Sequence, residues 1–269
     1  MLILRYVGRP AVVLAALVAS LVVPSVGTLA ATGDITEYPV PTPAPTAITA
    51  GPDGNLWVTE EVIGLGSTVP DKVAKVTTGG SFTEYSFPTV HSTPSSIAKG
   101  PDGNLWITEH DHGVIDKVTT SGGFTQYTIP TTFAGPLGIV AGPDGNMWFT
   151  EGGADKVGNV TTSGVFTEYA VPTVGGTPVG ITVGSDGNLW FTEANANKVA
   201  RVTTAGVITE FSVPTASSAP DGIALGTDGN VWFTEVSGNN VAKVTTAGVV
   251  TEYPVPTASS TPEGWLAYI

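Results

Sequence analysis

Gly180-Ile181-Thr182-Val183-Gly184-Ser185-Asp186-Gly187-Asn188-Leu189-Trp190-Phe191-Thr192-Glu193 decides the fold, because the chain writes versions of it five times. Asp-Gly-Asn, one further residue and then Trp recur at Trp57, Trp106, Trp148, Trp190 and Trp232, spaced 49, 42, 42 and 42 residues apart. A second marker, Thr-Glu/Gln-Tyr/Phe, keeps the same beat at Tyr38, Tyr85, Tyr127, Tyr169, Phe211 and Tyr253. Regular self-similarity at about 40 residues is the mark of a repeat architecture. What all repeats share is then scaffold, and what one repeat alone carries is a candidate site.

The repeat divides into four short strands. Val179 to Val183 is apolar, and Asp186-Gly187-Asn188 follows with the chemistry of a tight hairpin turn, since Gly tolerates positive φ. Leu189 to Glu193 alternates, with Trp190 and Thr192 on one face and Phe191 and Glu193 on the other. Ala194 to Asn197 links to Lys198–Val202, Thr204-Ala205-Gly206 turns again, and Val207 to Val213 makes the fourth strand. Pro214 ends pairing, because proline donates no ladder hydrogen bond. Four antiparallel strands per repeat, without a helical period, predict the blade of an all-β propeller. The coils of a β-solenoid are much shorter. The strands are called A to D from the axis outward.

Five complete blades are expected, at about 46–87, 95–129, 137–170, 179–212 and 221–254. An orphan D strand, Ile35 to Val40, precedes them, and an orphan A strand, Glu263 to Tyr268, ends the chain. Terminal strands that share a blade would make a partial sixth and cover exposed edges. Closure on five blades with strands to spare, or a shortened relative of a larger ring, fits equally.

The first 30 residues stand apart. Arg5 and Arg9 precede a nearly unbroken apolar run, Ala11 to Val23, and then the small residues Thr28-Leu29-Ala30. This is the pattern of a secretory signal, and 13 residues fall short of the roughly 20 that span a bilayer. The expected organisation is a signal peptide at 1–30 and a propeller at 31–269, secreted or in the cell envelope. The alternative is an uncleaved anchor. Without the two signal arginines, 8 basic residues face 23 acidic ones, a net charge of about −15. Such a surface repels phosphate backbones and anionic lipid heads, so neither nucleic acid nor a membrane surface is an expected partner. The chain has 0 cysteines, which removes thiol catalysis and Cys-ligated metals.

In a propeller the D–A and B–C connections share one rim, and the A–B and C–D turns the other. Asp53, Asp102, Asp144, Asp186 and Asp228 read as turn formers, since the repeated acidic ligands of a calcium loop are missing. Glu60, Glu109, Glu151, Glu193 and Glu235 end the B strands. They pair with backbone amides or lysines, or else form a cation-binding ring. All three histidines belong to the second blade. His91 lies in its D–A approach, and His110 and His112 flank Asp111 in its B–C loop, next to Glu109. They are candidate binding residues, able to act as base or ligand; an exposed polar loop is the plainer reading. Glu61 to Asp71 contains a seven-residue insertion in the first B–C loop that can border a pocket. Asp221 and Glu263 open the A strands of adjacent repeats near the axis, where two carboxylates can act as an acid/base pair or bind metal.

The stretches Gly180 to Glu193 and Ile208-Thr209-Glu210-Phe211-Ser212-Val213-Pro214-Thr215 resemble the virginiamycin B lyase (streptogramin lyase) family, and the resemblance spans the mature chain. It implies a seven-bladed propeller that linearises streptogramin B antibiotics by Mg²⁺-assisted elimination at the ester. In that family, histidines in Pro-His-Gly/Ala-Ile segments open the last two A strands, a tyrosine opens the first, and a metal-linked Glu closes the last B strand. The corresponding slot here holds Thr46, Ser95, Leu137, Val179, Asp221 and Glu263, with no His or Tyr. On the resemblance, an active enzyme would use Asp221 and Glu263 as acid and base and Glu235 as the Mg²⁺ ligand. Three classes stay open: a lyase of this type, an extracellular binding propeller using the D–A/B–C rim for a small-molecule or extracellular ligand, and a truncated product that associates to complete its ring.

Overall fold

The computed structural model describes residues 2–4, 14–16, 41, 44–62, 68–262 and 264. Two three-residue strands, Leu2–Leu4 and Leu14–Ala16, pair antiparallel. The rest of the expected signal segment, the strand Ile35 to Val40 and the residues Glu263 and 265–268 lie outside the described residues.

Five four-stranded antiparallel sheets follow, each in the sequential order A-B-C-D, with no helix among the described residues. The A strands are Pro45–Ala50, Pro94–Lys99, Pro136–Ala141, Pro178–Val183 and Pro220–Leu225. The B strands are Leu56–Glu60, Leu105–Glu109, Met147–Glu151, Leu189–Glu193 and Val231–Glu235. The C strands are Lys72–Val76, Val114–Val118, Lys156–Val160, Lys198–Val202 and Asn240–Val244. The D strands are Phe82–Ser86, Phe124–Thr128, Phe166–Ala170, Ile208–Ser212 and Val250–Pro254.

The repeated motif folds its own hairpin. Asp186 Oδ1 accepts from Asn188 N and from Trp190 Nε1, both at 3.2 Å. Across the five blades the indole-to-Asp distance is 3.0–3.2 Å, so the turn satisfies the one polar atom of a buried Trp. The expected turn role of these aspartates is what the structure shows. Gly184 admits the indole edge, because a Cβ there would stand 2.5 Å from Trp190 Cδ1. Each Trp then stacks on the D-strand Tyr or Phe of its own blade, with centroids 5.4–5.8 Å apart.

Alternation along the B strand sends its two faces into different cores. Trp190 packs with Val231, Phe233, Ala242 and Val244 of the next blade, while Phe191 packs with Trp148 of the blade before. Burial of each such aromatic contributes about 2–3 kcal/mol. The B-strand Thr joins blades by hydrogen bonds. Thr192 Oγ1 accepts from Gly180 N at 3.0 Å, where the A strand slips register, and donates to the Asp221 carbonyl of the next blade at 2.6 Å.

Inner strands pack side by side from blade 1 to blade 5, and no comparable packing brings blade 5 back to blade 1 among the described residues. Four interblade cores form. Trp57, Trp106, Trp148 and Trp190 are fully buried, whereas Trp232 is only half-buried and Tyr253 is 41% exposed. The described blades form an arc with a free flank on blade 5.

Candidate functional site

The D–A and B–C loops do share one rim. His110 N donates to Thr93 O at 3.1 Å, Gly152 N to Gly135 O at 3.0 Å, Asn195 N to Gly176 O at 3.0 Å and Ser237 N to Ser218 O at 2.9 Å. In blades 1, 3, 4 and 5 the side chain before the C strand pins the following D–A loop, whereas blade 2 has Gly113 there. Asp71 Oδ2 accepts from Ser92 Oγ and Thr93 N, both at 3.0 Å, and Asn197 Oδ1 accepts from Ser218 N at 2.7 Å. These loops carry non-glycine residues at positive φ, among them His91 at 55°, Phe133 at 57° and Ser217 at 54°. Each costs backbone energy, which the capping bonds offset in the loops of His91 and Ser217. Phe133 and Val174 project from the rim, 92% and 91% exposed.

The B-strand glutamates are fully buried, and Glu109 and Glu193 lie under the D–A loop that precedes their own blade, against Thr89 and Gly176. Each sits above its own blade's C and D strands. Lys198 binds Glu210 directly, Lys72 Nζ reaches Glu84 Oε2 at 2.7 Å, and Lys156 Nζ reaches Glu168 Oε2 at 3.7 Å. The D-strand carboxylate clasps the neighbouring blade: Glu210 accepts from Thr173 N and Oγ1, both at 2.9 Å. Burial tends to raise Glu210, but the hydrogen bonds from Lys198 and Thr173 prevail and lower its pKa. The B-strand partner takes the opposite state. Burial, then the charge of Glu210, pushes Glu193 up to about 8, and burial, then Glu168, pushes Glu151 up to about 8. At neutral pH these side chains are carboxylic acids. The lysine and backbone-amide reading of the glutamates therefore applies to the D strands, while burial keeps Glu151 and Glu193 of the B strands protonated.

Blade 2 departs from this plan. Val114 stands where blades 1, 3 and 4 have a C-strand lysine, Gln126 replaces the D-strand Glu, and Asp116 replaces an Ala or Gly. Asp116 is fully buried and its pKa is raised, by burial first and then by hydrogen bonding and charge from Glu109. Thr89 Oγ1 at 3.2 Å and Gln126 Nε2 at 3.3 Å donate to Glu109. His112 Nδ1 lies 3.5 Å from Glu109 Oε2, half-exposed above this pair. His110 Nδ1 lies 2.8 Å from Asp111 Oδ1, and Thr93 Oγ1 holds Asp111 Oδ2 at 2.9 Å. The bond to His110, against the opposing effect of burial, lowers Asp111. The opposite edge of the His110 ring faces Gly135, where a Cβ would come within 3.3 Å of Nε2. His91 lies exposed on the D–A loop, with no recorded bond to either. Sequence reasoning missed Asp116, Thr93 and Phe133, although Asp116 was visible as a break in the repeat.

Asp221 and Glu235 face different partners. Burial raises Asp221, and its Oδ2 accepts from Gly264 N at 3.4 Å. Burial also raises Glu235, whose Oε2 accepts from Asn240 Nδ2 at 2.9 Å. Mg²⁺ takes near-octahedral oxygen ligands, and among the described residues no group of three His, Asp or Glu side chains could hold a metal. The described residues around Glu235 thus do not fit the Mg²⁺ site that the resemblance implies; Glu263 lies outside them.

Radial four-stranded sheets, Trp–Asp turns and a rim of strained D–A loops define a β-propeller with its candidate site on one rim. The chain belongs to the virginiamycin B lyase family, whose profile matches residues 46–267. It is similar to virginiamycin B lyase from Staphylococcus aureus, with 36% identity over 82% of this chain and 73% of that one and a TM-score of 0.77. A catalytically inactive variant of the same S. aureus enzyme, solved with quinupristin, matches with the same identity, coverage and score. A nidogen/laminin complex matches at 16% identity over 78% of this chain and 80% of that chain, with TM-score 0.62, which shows fold alone. Among curated protein sequences none matches the chain.

Proposed function

We propose that this protein is a binding propeller that recognises a bulky, largely apolar ligand of the cyclic peptide-lactone type on its D–A/B–C rim, without opening the ester. One observation carries this reading: Asp221, Glu235 and Glu109 are held by neighbouring scaffold groups, while Phe133 and Val174 stand free on the rim. The family's solved complex with quinupristin supports the ligand class. Export by the N-terminal segment would bring the propeller to such extracellular molecules. The test is calorimetric titration with quinupristin, with mass spectrometry of the mixture in the presence and absence of Mg²⁺. Saturable binding with intact ligand is expected, and a linear product or no binding refutes the reading.

A second reading, an enzyme, is favoured by His110. Asp111 fixes its Nδ1, which leaves Nε2 to act as a base. If that reading holds, linear product forms, and His110→Gln abolishes it while binding persists.

A further inference from the structure

We propose that His112 is a pH-operated latch on the rim: with its added proton it pairs with the buried Glu109 and thereby steadies the D–A loop that carries Phe133. Blade 2 differs from its neighbours in charge balance. In blades 1, 3 and 4 the C-strand lysine is a permanent cation among the acids of its own blade, as Lys72 is with Glu84 and Lys156 with Glu168. Blade 2 has Val114 in that place. Glu109 is fully buried, and Thr89 Oγ1 and Gln126 Nε2 donate to its two oxygens, which is how an acceptor-only carboxylate is satisfied. His112 Nδ1 stands 3.5 Å from Glu109 Oε2, with the ring 38% exposed. An imidazole in that position supplies the missing cation only when it holds both ring protons.

No other group around the pair takes this role. Asp116, on the C strand, is fully buried and keeps its proton, because burial first and then hydrogen bonding and charge from Glu109 raise its pKa. Asp111 is engaged by His110 Nδ1 and Thr93 Oγ1. Glu61, from the first B–C loop, adds negative charge near Asp71 and Asp111; burial first, and then these two carboxylates, raise its pKa. Lys117 reaches Asp102 on the opposite rim at 3.8 Å, and His91, on the preceding D–A loop, has no recorded bond to the pair. Among the described residues, His112 is the one basic side chain within ion-pair reach of Glu109.

The same B–C loop supports the rim. Asp71, Asp155, Asn197 and Asn239 cap the D–A loops that follow their blades, but Gly113 has no side chain to offer. The loop left uncapped is the one that carries Phe133. Its fastenings come from neighbours instead. Ile129 N donates to Gly113 O at 2.9 Å, Gly152 N to Gly135 O and Gly153 N to Ala134 O, both at 3.0 Å, and Lys156 Nζ to Thr131 Oγ1 at 2.5 Å. Gly135, at φ 52°, is wedged between blade 3 and the His110 ring: a Cβ there would meet Gly153 N at 3.1 Å and His110 Nε2 at 3.3 Å. His110 and His112 share one short loop, so anchoring His112 also fixes the ring against which Gly135 rests. When His112 loses its proton, Glu109 remains a buried charge without a cation and the loop loses that anchor.

The test is amide hydrogen exchange by NMR on the full chain and on His112→Gln, from about pH 5.5 to about pH 8, the interval in which histidine changes charge. Comparing the two proteins at each pH cancels the intrinsic exchange rate and the titration of Glu151 and Glu193. The reporters are the amides of Ile129, Gly152 and Gly153; those of Ala194 and Asn195, which donate to the Asp155-capped loop at Thr177 O and Gly176 O, are the reference. Near the acid end the reporters should be protected at least about five-fold more in the wild type than in His112→Gln, and the two proteins should converge as pH rises. The reference amides should match throughout. His112→Lys, a permanent cation, should keep the excess protection at both ends. Equal protection of the reporters in wild type and His112→Gln at every pH, or an excess that does not shrink as pH rises, overturns the proposal. The measurement needs no ligand, so its failure leaves the binding reading standing, and failure of quinupristin to bind leaves the latch standing.

Discussion

Glu193→Gln offers the most direct check on the buried acids, because it keeps the side chain's shape and removes its proton chemistry. Glu193 is fully buried below Gly176, and its pKa stands at about 8 against an ordinary 4.5. The folded protein therefore holds a proton that the unfolded chain releases. The stability this provides is fully present below about pH 4.5 and is lost as pH rises toward about 8. Within that window a single site lowers stability by up to ~1.4 kcal/mol per pH unit. Integrated across the shift, the loss approaches about 5 kcal/mol as an upper bound. Glutamine has no such slope. Urea unfolding followed by tryptophan fluorescence, at several pH values from about 5 to 7.5, should show a wild-type stability that falls away from the variant's by about 1 kcal/mol per unit. Glu151 titrates alike in both proteins and cancels from the difference. Parallel curves with a constant offset would refute the reasoning, since Glu193 would then ionise as it does in water.

Trp148→Ala should cost about 3–5 kcal/mol in urea unfolding, whereas Trp232→Ala, on the free flank, should cost less than half of that. Gly206 has φ 84°, and a Cβ there would lie 1.9 Å from the Tyr169 ring, so Gly206→Ala should destabilise by at least ~2 kcal/mol in the same assay. Phe133→Gly relieves a positive φ at an exposed ring; the unfolding midpoint should hold or rise slightly, while calorimetric affinity for quinupristin should fall at least about five-fold.

The scaffold was legible because its interactions are local. Asp186 meets both its partners, Asn188 and Trp190, within four residues, and the alternation of Trp190 with Phe191 assigns the two faces of the strand. The histidines were visible as departures from the repeat, and so were Val114, Asp116 and Gln126, but only pairing across strands shows that the last three belong to one change. Asp116 sits opposite Ile107 on one side and Gln126 on the other. The resemblance implied Asp221 as acid or base and Glu235 as the Mg²⁺ ligand, and only the contacts show what each meets: Asp221 faces Gly264, and Glu235 faces Asn240.

Sequence alone therefore determined the strands, their turns and the wheel-like stacking, since a repeated pattern of apolar faces has to be buried against its own next copy. It could not determine which carboxyl groups keep their protons, where the arc stops, or which rim side chains stay free. Those depend on what a neighbouring blade places over a side chain, and therefore on water excluded and charges brought close by residues far apart in the chain.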